Sequence, residues 1–437
     1  MNQGNFQIKQ LGACRFDSPL HNLRDAEGNF FHFIEDNERV LVQHRLNRLL
    51  QDGATLQNTP TLELAGPRKK IFFDRTKTSI GIVTCGGLSP GLNNVIRDVV
   101  MSASYLYGIN RIIGFRYGYR GIAEENMYVE LTPRAVTDIQ EQGGSILGSS
   151  RGNQDIGRMV DRLLALKINI LFVIGGDGSM RGALALSEEI AKRNLPISII
   201  GIPKTIDNDF RYMDQSFGFD TAYSKAVEAI DGAHREAEGA PNGIGLVKLM
   251  GRHSGFIACA ATLASNQVNF TLIPEVPFKL EGPHGLLNAL HQRLLKRQHA
   301  VIVVAEGAGQ DLLKNAGTEK DVSGNIKLLD IGLYLAEQIK SYFKKINMEI
   351  NLKYIDPSYI IRSIKANASD SLLCTALAFN AVHAGMSGRT EMVVAMYRHS
   401  LVHIPIPQVI VTRNQVDPNG ALWLNVIAST GQPIAFY

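Results

Sequence analysis

The chain has little of what marks several large classes of protein. It contains one tryptophan and four cysteines in 437 residues, and no two cysteines form a C-x-x-C pair. Lysine and arginine (45) barely exceed aspartate and glutamate (41), so the composition gives no support for nucleic-acid binding. The N-terminus lacks a basic segment followed by an apolar one, and no apolar run is long enough to span a membrane. These absences predict a cytoplasmic protein with reduced, mostly buried thiols and no nucleic-acid or membrane partner.

The chain is rich in glycine, with 41 residues. Residues 1–77 are charged and irregular, and we expect them to form an N-terminal extension. From Ser79 onward, apolar runs end in polar, glycine-containing segments that helical stretches follow, as is typical of parallel sheets with crossover helices. These runs are Ile80–Thr84, Ile170–Ile174, Ile197–Ile202, Ile244–Leu249 and Ala300–Val304. Open α/β sheets bind ligands at the carboxyl ends of their strands, where the polar segments begin. The polar stretch Gly309–Asn325 predicts a surface excursion.

The first of these segments, Thr84–Gly91, reads Thr-Cys-Gly-Gly-Leu-Ser-Pro-Gly. Its backbone N–H groups and the helix that follows would attract phosphate, although such a cluster is equally typical of a tight strand–helix turn. The dipeptide Gly-Lys occurs nowhere in the chain, so the segment is not a Walker A loop. It also does not fit G-x-G-x-x-G, which argues against a nicotinamide dinucleotide site.

The second segment, Gly175–Ser179, places Asp177 between glycines. Its carboxylate could hold Mg²⁺ while the glycines leave space for a polyphosphate. Alternatively, Asp177 caps the next helix. A Gly-Gly-Asp-Gly run also occurs in NAD kinases and lipid kinases, so it indicates a nucleotide phosphate donor without naming the acceptor.

The third segment, Pro203–Asp209, combines a lysine, a hydroxyl and two carboxylates. Such a set offers a base, a phosphate partner and metal contacts within one turn, where the alternative is an Asx turn at Asp207. With this segment the order of motifs from about Ser79 to about Gly388 resembles the phosphofructokinase A family. It is most similar to the long branch of atypical ATP-dependent enzymes called clade X.

The resemblance implies an α/β fold of two Rossmann-like, three-layer α/β/α domains with mostly parallel sheets and the active site in the cleft between them. Residues 78–218 and 363–400 would form the nucleotide (phosphoryl donor) domain. Residues 219–362 and 401–437 would form the fructose 6-phosphate (acceptor) domain.

The resemblance also implies the residues of the donor site. The positions that match nucleotide-binding residues of the family are Gly86, Gly87, Arg151, Gly152, Gly176, Asp177, Gly178, Ser179 and Lys204. Asp177 matches the Mg²⁺ ligand. A lysine at the position of Lys204 is shared with pyrophosphate-dependent relatives, so it does not discriminate between donors. Gly178 favours ATP, because pyrophosphate users carry an aspartate there that would occupy the space of the α-phosphate of ATP.

On the acceptor side, Asp207 matches the general base that takes the proton of the sugar 1-hydroxyl, with Thr205 and Asp209 as its substrate and metal neighbours. Arg252 matches a catalytic clamp on the transferring phosphoryl group, and Glu306 an acceptor for sugar hydroxyls. The other matching positions are Ile206, Met250, Gly251, Lys353, Tyr359, Ile360, Ile361 and Arg362.

Lys353, Tyr359 and Arg362 match the pocket for the 6-phosphate, where Tyr359 replaces a histidine and Lys353 an arginine of short bacterial members. Gly243 stands where those members place an arginine that reaches the 6-phosphate of a neighbouring subunit, which leaves that contact open.

The function implied is the ATP- and Mg²⁺-dependent phosphorylation of fructose 6-phosphate, the committed step of glycolysis, by an allosteric homodimer or homotetramer. The nearest alternative is the reversible, pyrophosphate-dependent form of the reaction. An NAD kinase would leave Asp207, Arg252 and the segment Lys353–Arg362 without a purpose. A non-catalytic sugar-phosphate or nucleotide sensor would not need Asp207. The spacing of the eleven histidines shows no metal-binding motif.

Overall fold

The computed structural model describes residues 5–23, 33–51, 55, 59–152, 154–313 and 327–437. Their chain forms two compact units, each assembled from three separate stretches. Unit 1 takes in the described residues of 1–205, 210–217 and 365–412, and unit 2 those of 206–209, 218–364 and 413–437.

The described residues contain seventeen strands. They are β1 (Lys9–Gln10), β2 (Phe16–Asp17), β3 (Arg39–Leu41), β4 (Thr61–Leu64), β5 (Lys70–Ile71), β6 (Ser79–Cys85), β7 (Arg111–Phe115), β8 (Tyr128–Glu130), β9 (Ile170–Gly175), β10 (Ser198–Pro203), β11 (Gly243–Leu249), β12 (Phe270–Leu272), β13 (His299–Ala305), β14 (Asn351–Ile355), β15 (Arg389–Thr390), β16 (Met392–Tyr397) and β17 (Ser400–Pro405).

The same residues contain thirteen α-helices. They are α1 (Leu46–Gln51), α2 (Leu92–Tyr107), α3 (Tyr119–Ala123), α4 (Ile156–Ala165), α5 (Asp177–Lys192), α6 (Phe219–Glu238), α7 (Phe256–Ser265), α8 (Leu286–Arg297), α9 (Ile331–Lys345), α10 (Ser358–Ser363), α11 (Ala368–Met386), α12 (Ile406–Ile410) and α13 (Ala421–Thr430). Within the described ranges, no helix is both long and apolar enough to cross a membrane.

Unit 1 is built on a sheet in which nine of the described strands pair in the order β3-β4-β17-β16-β10-β9-β6-β7-β8. The central strands from β16 to β7 are parallel, and the strands at both edges are antiparallel. Every residue of β6, β9 and β10 is buried, so both faces of the sheet must be covered. One apolar core packs α2 and α11 on one face, and a second packs α4 and α5 on the other.

The N-terminal extension belongs to this unit. Strands β3 and β4 lengthen the sheet by pairing beside β17, and a buried group of charges holds them there. Glu63 accepts hydrogen bonds from Arg68 (3.2 Å), from His403 (2.9 Å) and from Arg389. Burial alone would raise the pKa of Glu63, but the bonds and charges of His403 and Arg389 outweigh it and lower the pKa to about 2.

The units differ from the predicted domains by one or two residues at 218 and at 363–364, and by longer stretches at two other places. Residues 401–412 were expected in the acceptor domain but lie in unit 1, because β17 pairs along its whole length with β16. Residues 206–209 were expected in the donor domain but lie in unit 2, because Ile206 packs into the core of that unit and Asp209 pairs with Arg413. The sequence pattern missed both because these pairings join residues far apart in the chain.

Unit 2 is built on a smaller, wholly parallel sheet, in which the described strands follow the order β12-β13-β11-β14. One core packs α6, α7 and α13 on one face, and another packs α8 and α9 on the other. Both units are therefore three-layer α/β/α structures, which confirms the predicted fold class. Of the predicted surface excursion Gly309–Asn325, residues 314–325 lie outside the described residues.

Candidate active site

Three neighbouring strands of unit 1 end at the same level. Cys85 of β6 and Pro203 of β10 both pair with Gly175 of β9, so the loops that start at Gly86, Gly176 and Lys204 leave the same edge of the sheet. From β6 the chain continues to β7 on one side, and from β9 to β10 on the other. Ligands of open α/β sheets bind at such a switch point.

The glycines of this edge allow the backbone to lie close to polar side chains. A Cβ atom at Gly175 would lie 2.3 Å from the Ser179 hydroxyl, so no larger residue fits there. Gly86, with φ of +83°, faces Lys204, whose Nζ lies 3.5 Å from where a Cβ would be. Arg151 lies beside Gly87, with a guanidinium nitrogen 3.8 Å from the corresponding point. The structure thus brings these predicted donor-site residues together.

The loop that carries Arg151 and Gly152 is tied to the same edge. The Ser149 hydroxyl donates a hydrogen bond to the carbonyl of Gly86 (2.5 Å), and the Ser150 hydroxyl donates one to the carbonyl of Tyr117 (2.5 Å). Arg151 and Gly152 themselves are exposed. Because it is exposed and its loop is bonded to Gly86, the Arg151 side chain is accessible to a ligand at this edge.

Helix α5 begins at this edge and supplies a positive helix end. Its first residue is Asp177, and Gly176 is the cap, so the predicted alternative that Asp177 caps the helix does not describe the structure. The Nζ of the buried Lys204 and the hydroxyl of Ser179, in the first turn of α5, both lie near Gly86. The first-turn N–H groups of a helix and a nearby ammonium group favour the binding of an anion.

Asp177 and Gly178 differ in their surroundings. The Asp177 carboxylate lies 3.4 Å from the Nε of Arg181, one helical turn later. A Cβ atom added at Gly178 would meet no atom within 4 Å, so nothing in the fold requires a glycine there. One partly exposed carboxylate beside open space fits the way proteins bind Mg²⁺, through one or two carboxylates and the phosphates of a substrate.

In unit 2 the acceptor residues follow the ends of two paired strands. Leu249 of β11 pairs with Ala305 of β13, so Met250 and Glu306 begin their loops side by side. The two loops are closely packed, since a Cβ atom at Gly307 would lie 2.0 Å from the carbonyl oxygen of Arg252. Gly251 is similarly enclosed, with the carbonyl of Ser254 2.5 Å from its Cβ position.

Asp207 lies against these loops. The backbone N–H of Arg252 donates a hydrogen bond to its carboxylate, and the Ser254 hydroxyl donates one to its carbonyl (3.1 Å). Burial raises the pKa of Asp207 well above its ordinary value, and the nearby carboxylates of Asp209 and Glu306 raise it further. A carboxyl group with a raised pKa is a stronger base than an ordinary aspartate.

Positive charges surround Glu306. Burial raises the pKa of Glu306, and the charges of Arg252, Lys248 and Arg362 oppose that rise. The guanidinium groups of Arg252 and Arg362 are charges of the kind that bind phosphate oxygens. The structure therefore brings Asp207, Arg252, Glu306 and Arg362 together, as the sequence predicts.

The remaining predicted acceptor residues differ in exposure and in their distance from these loops. Arg362 lies over the ring of Tyr359, 4.5 Å from its centre, and Tyr359 is 73% exposed. Ile360 is also exposed, whereas Ile361 is buried in the core of unit 2 and can only anchor α10. Lys353 pairs with Gly245, four residues before the end of β11, which is about 13 Å along the strand. A contact of Lys353 with the 6-phosphate stays a prediction.

Gly243 has no room for the side chain that the short bacterial members carry. A Cβ atom there would lie 2.0 Å from the carbonyl oxygen of Ala237 in α6. An arginine at this position would require α6 to move. The departure from the family pattern thus has a structural reason.

The sequence missed several charges that support the site. Arg413 donates a hydrogen bond to the carboxylate of Asp209 (3.0 Å), and no motif around Arg413 predicts this. Lys248 donates to Asp330 and Asp356, both at 2.8 Å. The sequence does single out Lys248, because it is the one charged residue of the otherwise apolar strand β11.

Comparison with known proteins decides the family. The family model described as "Phosphofructokinase" matches residues 79–385. The chain belongs to the phosphofructokinase family.

Similarity to other phosphofructokinases covers nearly the whole length of this chain. An "ATP-dependent 6-phosphofructokinase" of Borreliella burgdorferi is 48% identical over 99% of this chain and 97% of its own. A protein of the same description from Amycolatopsis methanolica is 48% identical over 99% of this chain and 96% of its own. One from Trypanosoma brucei brucei is 46% identical over 83% of this chain and 75% of its own.

Solved structures support the fold. The pyrophosphate-dependent phosphofructokinase of Marinobacter aquaeolei has a TM-score of 0.66 at 20% identity, covering 82% of this chain and 92% of its own. The T-state phosphofructokinase of Pichia pastoris has a TM-score of 0.63 at 22% identity over 81% of this chain, which spans 37% of that protein's length. At such identities the likeness shows the fold alone.

Proposed function

We propose that this protein transfers a phosphoryl group from ATP to the 1-hydroxyl of fructose 6-phosphate, giving ADP and fructose 1,6-bisphosphate, the committed step of glycolysis. The observation that supports it best is the arrangement around Asp207: a buried carboxyl of raised pKa beside Glu306, with Arg252, Lys248 and Arg362 nearby. A sensor has no use for such a base. The printed description of the relatives, "ATP-dependent 6-phosphofructokinase", agrees with the proposal.

On the donor side, unit 1 would hold the phosphates of ATP. The N–H groups at the start of α5 and the Lys204 ammonium would stabilise the negative charge of the phosphates. The glycines allow the backbone to come within hydrogen-bonding distance of the phosphate oxygens. Arg151 adds a guanidinium beside Gly87. Asp177 would hold Mg²⁺, which when bound neutralises part of the phosphate charge.

On the acceptor side, the Asp207 carboxylate takes the proton of the 1-hydroxyl as that oxygen bonds to phosphorus. The Arg252 guanidinium stabilises the charge on the transferring phosphoryl oxygens. Glu306 accepts hydrogen bonds from other sugar hydroxyls, and Arg362 binds the 6-phosphate by charge-assisted hydrogen bonds. Fixed charges of this kind need little rearrangement as the reaction proceeds.

Gly178 supports ATP as the donor. The space beside it is open, and an aspartate there would place a carboxylate next to the α-phosphate of ATP. Pyrophosphate has no α-phosphate beyond that point. We expect Mg²⁺-dependent turnover with ATP and negligible turnover with pyrophosphate, measured side by side on the purified protein.

The Gly178→Asp variant tests the same point without a folding defect. Gly178 lies in the first turn of α5, where an aspartate is favoured by about 0.3–1 kcal/mol and glycine is a poor helix former. The variant should therefore be as stable as the wild type or more so, but lose the use of ATP. Gly178→Ala, which adds no charge, serves as the control and should retain most turnover. A wild-type protein that is faster with pyrophosphate would overturn the donor assignment, and one with no turnover on either donor would favour the sensor.

Other properties stay predictions. Light scattering of the purified protein would distinguish a homodimer from a homotetramer. Titration with metabolites during turnover would reveal allosteric effectors, and fractionation of cells would test the cytoplasmic location.

A further inference from the structure

Two histidines and a glutamate meet on unit 2, away from the acceptor residues. His234 and Glu238 lie one turn apart near the end of α6, and His299 is the first residue of β13. His299 pairs with Gly243, the first residue of β11, so the cluster lies at the amino ends of the strands whose carboxyl ends carry Met250 and Glu306. The seven residues of β13 separate the two edges by about 20 Å.

The distances in this cluster suit a metal ion. Each of the three residues offers one ligand atom, and these atoms all lie within 4.8 Å of one another. The Nε2 of His234 lies 3.3 Å from the Oε1 of Glu238. In a tetrahedral site with bonds of 2.0–2.2 Å, neighbouring ligand atoms are about 3.4 Å apart. Small side-chain rotations would bring the third ligand to that spacing.

Neighbouring groups already orient two of the three ligands. The Nδ1 of His299 lies 3.0 Å from the carbonyl oxygen of Arg297, and if it donates there, the Nε2 lone pair is free for a metal. The Arg235 guanidinium donates to the Oε2 of Glu238 (2.8 Å), which leaves Oε1 toward His234. Hydrogen bonds of this kind to the far atom of each ligand accompany most protein metal sites.

His234 contacts both other ligands. Its Nε2 lies near Glu238 within α6, and its ring lies 5.4 Å, centre to centre, from the ring of His299. The Nδ1 of His234 is buried and makes no hydrogen bond within the described residues. A simple His–Glu hydrogen bond would account for the contact within α6. It would not account for a second imidazole that approaches the same point from β13.

We propose that His234, Glu238 and His299 bind a divalent transition-metal ion of the zinc type, with water completing its coordination. Two imidazole nitrogens and one carboxylate suit Zn²⁺ or Co²⁺, whereas Mg²⁺ requires oxygen ligands, so the site is separate from the one proposed at Asp177. The ion would join the last turn of α6 to the first residue of β13. This proposal does not depend on the proposed function.

The test uses Co²⁺, whose visible absorption reports its ligands. The full-length protein, freed of metal with a chelator, is titrated with Co²⁺ at pH 7.5. We expect saturable absorption bands of a four- or five-coordinate ion at one equivalent, and displacement of the Co²⁺ by Zn²⁺. Glu238→Gln and His299→Gln should each weaken binding at least 10-fold, the scale seen even for groups that only support ligands.

His284→Gln removes an exposed histidine elsewhere in unit 2 and serves as the matched control. Its Co²⁺ spectrum should equal that of the wild type. Zn²⁺ should also raise the melting temperature of the wild type and of the control but not of the two ligand variants. Absence of the bands, or bands of equal strength in Glu238→Gln and the wild type, would overturn the proposal.

Discussion

Replacing Asp207 with Asn should make the protein less active and more stable. The change keeps the size of the side chain and removes the carboxylate, so kcat should fall by roughly 10²–10⁴-fold, the usual effect of losing a positioned base. KM for fructose 6-phosphate should change far less. Stability should rise because the carboxylate lies buried beside Asp209 and Glu306, where its ionised form is disfavoured.

The sign of the stability effect follows from the pKa. In the unfolded chain the pKa of Asp207 is ordinary, and in the folded protein it is raised, so ionisation destabilises the fold at every pH above the unfolded value. Each unit of the rise corresponds to about 1.4 kcal/mol. The Asn variant should therefore gain at least about that much free energy of unfolding at pH 8, and the gain should vanish near pH 4.

Two measurements check this. Steady-state turnover with ATP and fructose 6-phosphate gives kcat and KM, and urea unfolding at pH 8 and pH 4.5 gives the stability difference. In the wild type, kcat should rise with pH through the pKa of Asp207, and Glu306→Gln should move that rise to lower pH by removing a nearby negative charge. A variant that keeps most of its turnover would refute the role of Asp207. One that loses stability at pH 8 would refute the electrostatic reasoning.

Three further predictions concern binding and stability. Arg362→Ala should raise KM for fructose 6-phosphate about 10-fold or more, since a charge-assisted phosphate contact is worth about 1.5–3 kcal/mol, and should leave KM for ATP unchanged; equal effects on both substrates would give Arg362 a structural role. Burial lowers the pKa of His383 to about 3 and that of His403 to about 4. Below the pKa of a histidine in the unfolded chain, the unfolded state binds protons that the folded state does not, so the free energy of unfolding should fall as the pH drops. Between pH 7 and pH 5 the loss should be about 2 kcal/mol for each, and identical urea unfolding at the two pH values would contradict it. Gly243→Arg should lower the melting temperature, because overpacking costs about 1–3 kcal/mol or more; an unchanged melting temperature would show that α6 can move.

The strands and loops of the site could be predicted because the information is local. Apolar runs such as Ile170–Ile174 are completely buried, and a buried parallel strand requires continuous apolar sequence. The glycines that follow are needed where the backbone turns into a helix beside another side chain, as at Gly175. Such constraints act within a few residues, so one sequence reveals them.

The contacts that the sequence did not reveal join distant residues. Nothing near Glu63 indicates that it meets Arg389 and His403, and nothing near Asp209 indicates Arg413. Strands β3 and β4 were missed because they are short and only their pairing makes them strands. Motif order also does not specify the register of β14, in which Lys353 pairs with Gly245.

The order in which the strands of unit 1 are synthesised affects how its sheet can fold on the ribosome. Strand β10 ends at Pro203, yet β16, its parallel neighbour, begins only at Met392, roughly 190 residues later. At typical synthesis rates the ribosome needs about 10–40 s to deliver it. Throughout that time β10 has an open edge of apolar sequence, which is a template for wrong pairing. All four strands of the smaller sheet emerge in the interval. The nascent chain therefore completes its second sheet before its first, and chaperones have most to protect while β16 is still awaited.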